Sequence, residues 1–138
     1  MKILIASRVG FLLLLLSQSL TKEGHETVTT DTPASVLQHL RHECDTDVVL
    51  VDSDMSGLSA SELWHVLSQV DRFNDKGKSM PPYMVMLCHR SVRDRSDMQA
   101  MLTQCRAGMT FGEILQKPVD YEFLCARISA IAAQRSRI

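Results

Sequence analysis

Short apolar runs alternate with longer amphipathic stretches along this chain. Ile3-Leu4-Ile5-Ala6 and Val48-Val49-Leu50-Val51-Asp52 are rich in β-branched residues and carry no polar alternation, as strands buried on both faces do. Glu26 to Thr29 alternates polar and less polar positions and predicts a half-covered strand; Tyr83 to Cys88 predicts a fourth strand and Glu113 to Gln116 a short fifth. The intervening segments have helical spacing. Val9 to Glu23 predicts a first helix, stopped by Gly24, the residue that most readily takes the left-handed turn after a helix. Thr32 is placed to cap a second helix with Pro33 at its first position, running to about His42. Ser59 or Ser61 starts a third through about Phe73, followed by a polar loop from Asn74 to Pro82. Ser91 or Asp94 caps a fourth, running to about Arg106, and Asp120 a last one, from Tyr121 to about Gln134.

Strand followed by helix, five times over, implies an α/β domain with a parallel sheet, right-handed crossovers and helices on both faces. For this length the expected topology is the flavodoxin-like doubly wound sheet, (βα)5, with strand order 2-1-3-4-5, in a single domain over residues 1–138. Such sheets bind and react at the carboxyl ends of their strands, where the strand order reverses. Here those ends carry Ser7, Arg8 and Asp52, with Asp54 and Met55 in the loop after strand 3, and Cys88, His89, Lys117 and Pro118 after the neighbouring strands.

Composition narrows the function classes. A net charge of −1 and an aromatic content of 5% leave neither a basic footprint nor stacking platforms for nucleic acid. Cys44, Cys88, Cys105 and Cys125 make no Cys-x-x-Cys pair, which fits a reducing, cytoplasmic compartment. Met1 to Ser19, with Lys2 and Arg8 before Val9 to Leu16 and then Ser17-Gln18-Ser19, has the outline of a secretory signal, yet its apolar stretch is too short to span a membrane. Lys2 to Ala6 reads more naturally as a strand, so the segment is taken as part of the fold. Ser7-Arg8-Val9-Gly10 lacks the glycine spacing of a dinucleotide fingerprint and the Ser/Thr/Gly-rich loop of a flavin site.

With Asp52 ending strand 3, Met55 three residues on and Lys117-Pro118 after strand 5, the chain resembles the receiver domain of bacterial two-component response regulators over nearly its whole length, Ala60 standing where a glycine is common in the family. The resemblance makes Asp52 the phosphoacceptor position, served by a histidine kinase or a phosphotransfer protein and read by an output protein. Several positions depart from the family pattern. Ser7 and Arg8 stand where the family has two acidic residues that bind Mg²⁺; Cys88 replaces a Ser/Thr, Ile114 the switch aromatic, and Ser56 a proline. Mg²⁺ takes hard oxygen ligands and offsets the charge of phosphoryl transfer. Ser7 is a poor ligand and Arg8 brings its own positive charge. No resident cofactor is expected, any Mg²⁺ depending on Ser7 and water.

Two arrangements of the crevice follow: Arg8 pairs with Asp52 and, with Lys117, supplies the charge balance in place of metal, or Arg8 turns to solvent. The first function expected is a non-enzymatic, atypical receiver that signals by protein contact with weak or no phosphorylation. The alternatives are a receiver still phosphorylated on Asp52, and a small enzyme using Asp52 and Lys117 as acid and base. The helical register puts Phe11, Leu12, Leu15, Leu16 and Leu20 against the sheet and leaves Leu13 and Leu14 as a partner surface. The resemblance adds a possible homodimer through the face that carries Ile114, and no membrane partner. His39, His42 and Cys44 lack further ligands for a metal site and read as surface residues. The eight methionines read as core filler.

Overall fold

The computed structural model of the chain describes residues 1–42, 46–52, 72–73, 79–80, 82–88, 105–106, 109–110, 112–116 and 120–136. Five strands make one parallel sheet: β1 (Lys2–Ala6), β2 (Glu26–Thr30), β3 (Val48–Asp52), β4 (Tyr83–Cys88) and β5 (Gly112–Gln116), in the order β2-β1-β3-β4-β5. The described helices are α1 (Gly10–Lys22), α2 (Pro33–His42) and α3 (Tyr121–Ser136). The expected α/β class, the flavodoxin-like order and the strand bounds hold to within a residue or two.

The strands form where β-branched runs can be covered twice, and the period of two sorts their side chains into two cores. Leu4, Ala6, Val49, Val51, Met84 and Met86 pack on one face against Val36 and Leu40 of α2. Ile3, Ile5, Val48, Leu50, Val85 and Leu87 pack on the other against Leu16 and Leu20 of α1 and Leu124, Ile128 and Ile131 of α3. All five residues of β3, the central strand, are buried. At the amino edge, Asp47 ties three strands: its carboxylate accepts the Lys2 N–H (2.9 Å), its own N–H donates to the Lys2 carbonyl (2.8 Å), and its carbonyl accepts the Tyr83 N–H (2.9 Å).

The helix ends follow local chemistry. Thr32 Oγ1 accepts the Ser35 N–H at 3.2 Å and caps α2 as expected. Asp120 Oδ1 accepts the Glu122 N–H at 2.9 Å at the start of α3. Gly24 has φ +92°, a conformation that L side chains rarely adopt, and lets the chain turn from α1 into β2.

Three expectations are corrected. Phe11 is 67% exposed rather than core-facing, while Leu13 packs against the α1/α3 core with Leu12. Arg72–Phe73, expected to end a helix, pairs antiparallel with Ser79–Met80, inside what was expected to be a polar loop. Cys105–Arg106, also expected to end a helix, pairs antiparallel with Met109–Thr110. In the sequence, residue types that favour turns follow closely on each first strand, Asn74, Asp75 and Gly77 in one case and Gly108 in the other, and such types are compatible with short antiparallel pairings. The helix starts at Ser59 or Ser61 and at Ser91 or Asp94 lie outside the described residues.

Candidate functional site: a serine-held carboxylate at the carboxyl edge of the sheet

In the registers of β1 with β3, Ile5 faces Leu50 and Ala6 faces Val51. One residue further on, Ser7 stands beside Asp52, and the period of two turns both toward the α1/α3 side of the sheet. The sheet therefore brings together two of the residues singled out from the sequence. Ser7 is 1% exposed and Asp52 3%. The Ser7 hydroxyl donates to Asp52 Oδ2 at 3.1 Å and accepts the Val9 N–H at 3.1 Å. The Ser7 N–H donates to the Thr30 carbonyl at 3.1 Å, so β2 holds the residue from behind. A carboxylate taken out of water needs donors, and this serine supplies one while its own backbone is anchored. α1 opens two residues beyond Arg8 with no acidic residue in its first turn. Its partial positive end thus lies at the same edge of the sheet as Asp52.

Arg8 is exposed, next to a buried serine. Cys88 ends β4, with its backbone paired to Gln116 of β5. Ile114 is half-buried and packs against the α2-side core, on the edge strand. Asp54, Met55, Lys117 and Pro118 lie outside the described residues, as do Ser56 and His89. Leu14 is 54% exposed, and the apolar surface around it is Val9 (52%) and Phe11 (67%), not Leu13. Tyr121 and Phe123 at the start of α3 are also exposed.

Among the described residues no group of three or more His, Cys, Asp or Glu side chains is arranged to hold a metal ion. The Ser7 hydroxyl donates one bond and accepts another, to Asp52 and from the Val9 N–H. A separate cleft of about 450 Å³ is lined by Ser17, Gln18, Thr21 and Lys22 of α1. It gathers hydroxyls and one ammonium but no acid–base pair.

Two polar clusters were not singled out from the sequence. Glu113 of β5 accepts the Tyr83 hydroxyl (2.9 Å) and two N–H groups of Arg127 from α3, one at 2.8 Å. Burial pushes the Glu113 carboxyl up, but the Arg127 guanidinium and the Tyr83 hydroxyl overcome it and hold it below its ordinary value. His25, between α1 and β2, lies 3.3 Å from the Ser129 hydroxyl of α3. Both pairs join residues more than ten apart in sequence, and no local spacing announces them.

No family model matches the sequence, and no curated protein matches it. Solved structures do. The chain is similar to the receiver domain of Francisella response regulator 1452, with a TM-score of 0.72 at 16% identity over 97% of this chain and 98% of that one. It is similar to a CheY-like response regulator receiver domain from Methanospirillum hungatei JF-1, with a TM-score of 0.72 at 19% identity over 99% and 98%. A receiver domain from Clostridium thermocellum gives 0.70 at 20% identity over 97% and 95%. The fold is that of response-regulator receiver domains.

Proposed function

We propose that the protein is an atypical receiver module of two-component signalling. It acts by binding a protein partner (a histidine kinase, a phosphotransfer protein or an output protein), with phosphorylation of Asp52 weak or absent, and it is not an enzyme. The observation that carries this reading is the buried Ser7–Asp52 hydrogen bond. Asp52 occupies the phosphoacceptor position of the receiver fold, and the residue beside it is a hydroxyl donor rather than a carboxylate. A hydrogen-bonded serine holds the aspartate side chain in place but cannot assemble an octahedral Mg²⁺ with the incoming phosphate. Metal neutralisation supplies much of the rate of phosphoryl transfer, so its loss slows the step. The exposed Val9, Phe11 and Leu14 on α1 offer an apolar contact surface beside this edge.

The test is intact-mass spectrometry after incubation with a small acyl phosphate and Mg²⁺, alongside a receiver known to be phosphorylated. The expected result is an adduct on the comparison protein and none on this chain. Ready formation of an adduct that disappears in Asp52→Asn would overturn the proposal and return Asp52 to ordinary phosphoacceptor chemistry.

A further inference from the structure

His25 sits where α1 ends and β2 begins, and its own backbone helps close that corner, its N–H donating to the Leu20 carbonyl at 3.1 Å. Its ring reaches α3. Nε2 lies 3.3 Å from Ser129 Oγ, and the Ser129 hydroxyl donates to Glu23 Oε2 at the end of α1. A hydroxyl has one hydrogen. With that hydrogen given to Glu23, Ser129 Oγ is an acceptor toward the imidazole, so His25 carries its proton on Nε2. The other ring nitrogen, Nδ1, is buried and has no hydrogen-bond partner. In the neutral ring Nδ1 is an unused acceptor, a modest cost. In the imidazolium it would be a buried N–H donor on a charged ring with nothing to receive it, which costs more.

We propose that the His25–Ser129–Glu23 chain is an acid-sensitive joint: neutral His25 fastens α3 to the corner between α1 and β2, and protonation of His25 loosens α3 there. Among the described residues the charged groups that act on the ring come from three places. The Met1 amino group, near β1, opposes protonation; Glu23 at the end of α1 and Asp47 ahead of β3 favour it; α3 contributes the uncharged Ser129. Burial, with the amino group adding to it, outweighs the two carboxylates and lowers the His25 pKa from 6.5. The folded state thus binds the proton less readily than the unfolded chain. The joint's contribution is therefore complete above pH 6.5 and declines as pH falls below it. This places a proton-sensitive contact on the face of the sheet that α1 and α3 share, independent of any chemistry at Asp52.

The test uses the full chain with the Met1 amino group unblocked. Nitrogen-15 NMR of the His25 ring is expected to show the Nε2–H tautomer at pH 7.5 and a titration midpoint below 6.5. Amide hydrogen exchange, corrected for intrinsic rates, is expected to show α3 losing protection between pH 7.5 and 5.5 in the wild type and not in His25→Gln. An Nδ1–H tautomer, a midpoint at or above 6.5, or equal loss of α3 protection in both chains overturns the proposal. The ring measurement and the pH dependence of α3 protection are both made on the wild type, so a wrong tautomer, a midpoint at or above 6.5 or unchanged α3 protection overturns the proposal even if His25→Gln does not fold.

Discussion

Ser7 and Glu113 show how single polar residues settle what a parallel sheet can do at its edges. Ser7 satisfies a buried carboxylate and a backbone N–H at once, a role its neighbours in the sequence do not reveal, because Asp52 is 45 residues away. Glu113 is held by Arg127 and Tyr83 with its carboxyl below the ordinary value of 4.5. The unfolded chain binds that proton more readily, so the stabilisation is complete above about pH 4.5 and is lost as pH falls through the lower folded value. Replacing Glu113 with Gln is expected to cost about 1 kcal/mol at pH 6, because Arg127 is partly exposed and the pair is screened. Urea unfolding of both chains from pH 6 to pH 3 should show that gap closing toward the acid end. A gap that stays constant would mean the carboxylate charge contributes nothing. Asp52 itself was legible from its place at the end of an apolar run. The hydroxyl that holds it was legible only as a departure from the receiver pattern, and the Glu113 and His25 clusters were not legible at all.

The elements were read most accurately where composition leaves one solution. Val48 to Asp52 has no polar residue before its last, and its observed bounds match the expected ones. Helix α1 is the opposite case. Leu12 to Leu16 are five leucines in succession, so no polar position marks which side faces water, and the sheet decides. Packing against β1 and α3 selects Leu16 and Leu20 as the fully buried pair, draws in Leu12 and Leu13, and leaves Phe11 and Leu14 outside. Two substitutions two residues apart should therefore behave differently. Leu16→Ala is expected to destabilise by about 2–5 kcal/mol through the cavity it leaves, and Leu14→Glu to stay within about 0.5 kcal/mol; thermal unfolding of the two variants checks both. If Leu14→Glu also abolishes capture of a cognate kinase or phosphotransfer protein while folding normally, the α1 surface is the partner surface. The short ladders at Arg72–Phe73 and Cys105–Arg106 escaped the sequence because two-residue pairings leave no periodicity to read.

At the scale of the whole molecule, the fold class and strand order followed from the strand–helix alternation, since right-handed crossovers leave few ways to cover both faces of a parallel sheet. Among the described residues no helix is long and apolar enough to cross a membrane. The first nineteen residues supply β1, which pairs with both β2 and β3, and most of α1. A chain beginning at Leu20 is expected to show no cooperative unfolding transition by circular dichroism; a folded product would mean that the sheet closes without β1. The Asp47 tie adds a consequence in time. Lys2 meets the residue that anchors it only 45 positions later in the chain. At a synthesis rate of about 5–20 residues per second, β2 is made soon after β1, but Asp47 and the buried strand β3 follow Lys2 only after roughly 2–9 s. During that interval the nascent chain carries its most apolar stretch without the central strand that later flanks it, so its liability to aggregation is greatest before Asp52 has been made.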